Sequence, residues 1–161
     1  MFDQEKPRKK LSPSEAKLKA ANFCAYQERS QQEVRDKLYS YGLYKEVVED
    51  IIADLITEDF INEERFAKAY IGGKFRVKKW GRNKILHHLQ YHRLSPYCIR
   101  KGLSEIDEQD YGATLREVLV KNIKGPISDY KNKARLAKYA IGRGYEAELV
   151  WAEINNMAKE G

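Results

Sequence analysis

With 161 residues, 42% apolar and 34% charged, but only 5 Phe and 2 Trp, the chain has little material for one deep core and suits several small ones. No run of 18 apolar residues exists, which excludes a transmembrane helix; the start, Met1-Phe2-Asp3-Gln4-Glu5-Lys6, lacks the apolar stretch of a secretion signal, so a cytoplasmic chain is expected. Two cysteines, Cys24 and Cys98, both at apolar helical positions, are too few for a disulfide scaffold, and the net charge of +6 points to an acidic or phosphate-bearing partner.

Residues 1–12 are polar and unpatterned and read as a disordered basic tail. Ser12-Pro13-Ser14-Glu15 then opens a helix: a hydroxyl cap, a proline and an acid in the first turn. The pattern predicts a helix over about 14–27 with Leu18, Ala21, Cys24 and Ala25 inward. Ser30-Gln31-Gln32-Glu33 is a capping box for a second helix, with Val34, Leu38 and Tyr41 on one face and a stop at Gly42. A third helix follows over about 45–57, burying Val48, Ile51, Ile52 and Leu55.

Asn62-Glu63-Glu64-Arg65 caps a long helix expected to reach Lys79. Gly72-Gly73 weakens it and reads as a close helix crossing or a kink. A phosphate loop is disfavoured, because no strand precedes it and the GxxxxGK spacing is missing. A helix over about 82–92 carries Ile85, Leu86 and Leu89 on its core face and Lys84, His87 and Tyr91 on the opposite one. Ser95-Pro96 caps a helix ending near Ile106. Three more helices follow, over about 108–123, 129–142 and 146–159.

These elements repeat at a step of 51 residues. Val34 falls on Ile85 and Leu136, Leu38 on Leu89 and Ala140, Leu43 on Leu94 and Tyr145. Val47 falls on Cys98 and Leu149, Val48 on Ile99 and Val150, Ile52 on Leu103 and Ile154, Leu55 on Ile106 and Met157. The chain therefore reads as all-α, three tandem three-helix repeats over 13–60, 61–107 and 108–161. Four Pro and the scarcity of alternating β-branched runs argue against sheet.

The charge is unevenly placed. From Arg65 to Ser104 there is no acidic residue, while eleven of the 30 Lys and Arg and all three His lie there. The candidate contact residues are Lys74, Arg76, Lys78, Lys79, Arg82, Lys84, His87 and Tyr91. Tyr70, Phe75, Trp80, Tyr91 and Tyr97 are interleaved with the cations, a composition suited to phosphates and exposed bases. A protein surface rich in carboxylates would satisfy the same charge. Reversing Lys79, Arg82 and Lys84 to Glu is expected to abolish binding and leave helix content unchanged. His88 and His92 have the spacing of a zinc pair but no further ligands nearby, so no metal is expected. No nucleophile with a neighbouring base and no placed carboxylate pair occurs; neither catalysis nor a cofactor is expected.

The run Cys24-Ala25-Tyr26-Gln27-Glu28-Arg29-Ser30-Gln31-Gln32-Glu33-Val34-Arg35-Asp36-Lys37-Leu38 resembles the first-repeat signature of the bacterial RecX family. Phe60 to Tyr70, continued by Lys79-Trp80-Gly81-Arg82-Asn83-Lys84-Ile85 and Leu89, resembles its second signature. The resemblance covers about residues 14–157. It implies an elongated, curved array of three-helix repeats that binds the recombinase RecA, lodges in the groove of the RecA–single-stranded DNA filament and usually inhibits it. Some members bind DNA directly. Asn62 stands where the family often has Asp and keeps a capping group; Gly72-Gly73 replaces better helix formers. The expectation is a monomeric, non-enzymatic regulator of recombination. The competing reading is a sequence-tolerant helix-turn-helix protein that binds DNA without RecA through helix 82–92.

Overall fold

The computed structural model describes residues 10–161. Among these it contains nine α-helices, one 3-10 turn and no strand. The helices are α1 (Pro13–Tyr26), α2 (Gln31–Ser40), α3 (Lys45–Thr57), α4 (Glu63–Arg76), α5 (Arg82–Leu89), α6 (Pro96–Leu103), α7 (Glu108–Lys121), α8 (Tyr130–Gly142) and α9 (Ala147–Glu160), with the 3-10 turn at Gln90–His92 after α5. None of them is long and apolar enough to cross a membrane. Of the expected tail, residues 1–9 lie outside the described residues. Leu11 is held by its N–H to the Tyr41 carbonyl (3.2 Å), and the Lys10 ammonium lies over the Tyr44 ring.

Packing gathers the described residues into two compact units: those up to Phe66 with Tyr91–Leu94, and Ala67–Gln90 with Ser95–Gly161. The division falls inside α4. In the first unit the caps form as read. Ser12 Oγ accepts the Glu15 N–H, and Ser30 and Glu33 close a full capping box. Val34 and Leu38 of α2 meet Val48, Ile51, Ile52 and Leu55 of α3 in one core. Helix α1 contributes Ala16, Ala20 and Cys24, not the expected Leu18, which is 64% exposed. The small side chains at a four-residue spacing make the stripe that faces the core, and Leu18 points away from it. Burial also raises the Cys24 thiol pKa to about 11, so this free cysteine is held as a thiol.

In the second unit α4 ends at Arg76, three residues short of expectation, because Lys79 adopts a left-handed backbone (φ 57°). Its N–H still reaches the Phe75 carbonyl and its own carbonyl accepts the Tyr145 hydroxyl (2.8 Å). The helix runs on through Gly72-Gly73; the Arg76 guanidinium lies over Gly72, and nothing lies near Gly73. The close crossing is elsewhere, at Gly102 of α6. A Cβ there would come within 2.9 Å of the Ala67 carbonyl oxygen on α4. Helix α5 stops at Leu89 and its last turn tightens to the 3-10 form.

The repeat is visible in burial. Val34, Ile85 and Leu136 are buried, as are Leu38, Leu89 and Ala140, and Leu55, Ile106 and Met157. The middle copy is thinner, with Leu94, Ile99 and Leu103 only half-buried. Joints between successive copies repeat too. In the first unit Ser30 Oγ lies 2.7 Å from His92 Nδ1. One repeat on, in the second unit, the Gly81 N–H donates to the Arg143 carbonyl (2.9 Å). Glu28 pairs with Arg65 at 2.8 Å in the first joint. Lys79, one repeat on from Glu28, pairs at 3.1 Å with Glu117, the neighbour of the position where Arg65 recurs as Arg116, so the polarity of the bridge is reversed.

His92 carries a pH prediction. Burial lowers its pKa from the usual 6.5, against the pull of Glu33 3.8 Å away. Ser30 Oγ already accepts the Glu33 N–H, so its hydroxyl suits a neutral Nδ1. The unfolded chain therefore binds the proton more readily, and this contribution to stability is present above pH 6.5 and lost as pH falls through the lowered value. Thermal melts between pH 7.5 and 5.5 should show a falling midpoint that His92→Asn flattens. A parallel fall in the variant would assign the loss to other groups.

Candidate functional site

The acid-free block divides in the folded chain into cations that meet carboxylates and cations that do not. Arg65 is bound by Glu28 and Asp59, Lys68 faces Glu105 at 4.0 Å, and Lys79 pairs with Glu117. Arg82, at the first position of α5, is the most committed. Nη1 donates to Glu146 (2.8 Å), Nη2 to Glu108, and the guanidinium lies 3.8 Å over the Tyr111 ring. Tyr111 in turn accepts the Arg82 N–H and donates to Glu146. Burial works against the Arg82 charge, but the two carboxylates outweigh it and its pKa rises.

Lys74, Arg76, Lys78 and Lys84 meet no carboxylate among the described residues. Lys74 from α4 and Lys84 from α5 converge on Trp80 in the turn between them, their ammonium groups 5.1 and 4.6 Å from its ring. His88 packs on the same indole at 4.8 Å, with His87 edge-on to it and exposed. Arg76 and Lys78 are exposed beside this cluster in sequence. The result is a half-buried indole flanked by two ammonium groups and an imidazole, positioned by two helix ends and a turn, in the second unit. Such a ring and its cations can hold a phosphate and stack a base, or accept carboxylates.

Of the eight expected contact residues, the fold thus brings Lys74 and Lys84 onto Trp80, leaves His87 exposed against His88, and leaves Arg76 and Lys78 exposed. It commits Lys79 and Arg82 to internal pairs. Tyr91 belongs to the first unit, 58% exposed, with its hydroxyl donated to Asp36. Phe75, grouped with the stacking rings, is buried core. The two histidines of the zinc spacing have unlike partners: His88 is on Trp80, and His92 is on Phe66 and Ser30. Tyr111 and Glu146, which fix Arg82, carried no sequence signal beyond their place in the repeat.

Two RecX family models match the chain, the first three-helix domain over residues 16–55 and the second three-helix domain over 62–103. Regulatory protein RecX of Clostridium acetobutylicum is 30% identical over 151 residues, covering 90% of this chain and 68% of that protein. Its namesake in Herminiimonas arsenicoxydans is 27% identical over 147 residues, covering 89% and 92%. The chain spans 65% of the length of the Clostridium tetani relative. The crystal structure of RecX from Lactobacillus salivarius shares the fold, with a TM-score of 0.80 at 20% identity over 92% of this chain and 97% of that one. With its repeated three-helix units and matches to both family domains, the chain belongs to the RecX family, whose named members are regulatory proteins.

Proposed function

We propose that this chain is a non-enzymatic cytoplasmic regulator of homologous recombination that binds the RecA–single-stranded DNA filament as a monomer and restrains RecA. The observation that carries the reading is the cluster of Lys74, Lys84 and Trp80, two cations gathered on one ring without carboxylates while nearby Lys79 and Arg82 are paired. Unpaired surface cations on one helix-turn-helix edge give an electrostatic hold on a polyanion and speed its encounter. Several modest contacts spread over a repeated scaffold add up through effective concentration. Occupancy of a filament in this way obstructs strand pairing, subunit addition or the nucleotide cycle, and any nucleotide cofactor belongs to RecA.

The test is capture of the chain on RecA-coated single strands, on bare single strands and on duplex, across a salt series. Lys74→Ala/Lys84→Ala should weaken filament capture about tenfold near 50 mM salt. Its log–log salt slope should be shallower by about 1.4, two contacts at roughly 0.7 each on single strands. Unchanged capture by the double variant would move the contact elsewhere. Capture on duplex alone, indifferent to RecA, would replace the reading with that of a plain DNA-binding protein.

A further inference from the structure

A second acid-free stretch lies outside the block already described. Between Asp129 and Glu146 there are five basic residues and no acid, and α8 occupies most of it. Asp129 itself is turned into the helix cap, where it accepts the Lys131 N–H at 3.0 Å. Helix α8 buries Leu136, Ala137 and Ala140, which leaves Lys131, Arg135 and Lys138 on its outer side at spacings of four and three. All three are exposed and meet no carboxylate among the described residues. Tyr139, 44% exposed, stands beside Lys138, and Tyr130, 72% exposed, stacks on Trp151.

Arg135 and Tyr139 also line a cavity of about 130 Å³ between α8 and the loop that precedes it. Its floor is apolar, from Ile123, Ile127 and Leu136, and Lys124 joins Arg135 among the lining residues. That is a little less than the ~150 Å³ of a closed apolar cavity that holds benzene, and the space is open on one side, so it suits the edge of a flat ring. A flat ring with an anion attached uses both the cations and the apolar floor.

The face is also the repeat of one already met. Moved by 51 residues, Lys84, His87 and His88 of α5 become Arg135, Lys138 and Tyr139 of α8. On α2 the same positions are Glu33, Asp36 and Lys37, so the acids of the first copy give way to a lysine and two imidazoles on α5 and to two cations and a tyrosine on α8.

We infer that the outer face of α8 is a second binding surface for single-stranded nucleic acid, with Lys131, Arg135 and Lys138 on phosphates and a base seated in the cavity against Tyr139. This goes beyond the function proposed above, which places no contact in the last three helices and does not depend on this one.

The probe is a fluorescein-labelled oligothymidylate followed by anisotropy between 25 and 200 mM salt, without RecA. Lys131→Ala/Arg135→Ala/Lys138→Ala should lose about tenfold in affinity or more at low salt, and its salt slope should fall by about 2, at roughly 0.7 per contact. The charge-keeping Lys131→Arg/Arg135→Lys/Lys138→Arg should bind like the parent. Tyr139→Leu should weaken binding about fivefold or more at unchanged slope, since stacking carries no counterion term. In the unsubstituted chain a 4-thiothymidine strand should crosslink within residues 124–139, a readout that no folding defect can imitate. Equal affinity and slope in the alanine variant, or crosslinks confined to α4 and α5, would overturn the inference. Loss of RecA-filament capture with bare-strand binding intact would make α8 a protein-docking face and overturn it as well. Failure of the parent to bind the bare strand would also sink it, and would leave the RecA reading standing on its own filament assay.

Discussion

Gly81→Ala is expected to cost the second unit about 3 kcal/mol or more, and a thermal midpoint drop of 10 °C or beyond, although only one methyl group is added. A Cβ at position 81 would meet the carbonyl carbon and oxygen of Gly144 and the nitrogen of Tyr145, all closer than the 3.0 Å that real side chains keep. These neighbours are backbone and cannot rotate aside. The turn before α5 would have to back away from the turn after α8, taking with it the bonds from the Gly81 N–H to Arg143 and from the Asn83 N–H to Gly144, both 2.9 Å. Gly144 is constrained from its own side: its φ of +103° is open to glycine and hardly to other residues, and a Cβ there would meet Lys84 and the Gly81 carbonyl oxygen. The control is Gly73→Ala on α4, where a Cβ meets nothing within 4 Å. There alanine should stabilise by up to about 1 kcal/mol through helix propensity. Urea unfolding of both variants checks the pair; equal effects at the two sites would show that the contact of the two turns is not what glycine serves.

The second large effect is at Arg82. Arg82→Ala should destabilise the second unit by about 2–3 kcal/mol, below the 3–5 typical of a fully buried broken pair because Glu108 remains largely in water. With the guanidinium gone, Glu146 and the Tyr111 hydroxyl keep each other but lose their cation, and the Tyr111 ring loses the group stacked on it. A double-mutant cycle with Glu146→Gln should return a coupling of about 1–3 kcal/mol. Lys84→Ala, by contrast, should stay within about 0.5 kcal/mol of the parent while weakening filament capture. This revises what the sequence alone suggested for a Lys79, Arg82 and Lys84 reversal. Placing Glu at 82 brings a third carboxylate to Glu108 and Glu146, so loss of binding by that triple variant would report unfolding as much as contact. An Arg82→Ala chain that melts like the parent and loses capture would return Arg82 to the binding surface.

The contrast between these residues also explains what could be read in advance. Helix starts were legible because their signals are local. Ser12, Ser30 with Glu33, Asn62 and Ser95 cap within three residues of themselves, and every one of those bonds forms. The buried triples were legible because one spacing is repeated three times. The fate of each cation was not, since its partner lies far along the chain: 38 residues separate Lys79 from Glu117 and 64 separate Arg82 from Glu146. A helical wheel detects neighbours three and four apart and nothing beyond. Trp80 lay between, near enough to Lys84 for the pairing to be anticipated, with Lys74 arriving only because α4 stops at Arg76. Leu18 misled for another reason: hydrophobicity alone marked it as inward, whereas the tight approach of α1 selects alanine.

The opposite polarities of the two bridges have a consequence for how either could be altered. Glu28 waits for a cation at the first seam, and Lys79 waits for an anion at the second. Reversing one end alone, Glu28→Lys or Lys79→Glu, would set like charges together, whereas exchanging both ends of one bridge would keep it. Either polarity thus serves at such a seam, a mixed one does not, and with both groups partly in water the difference is about 1 kcal/mol or less.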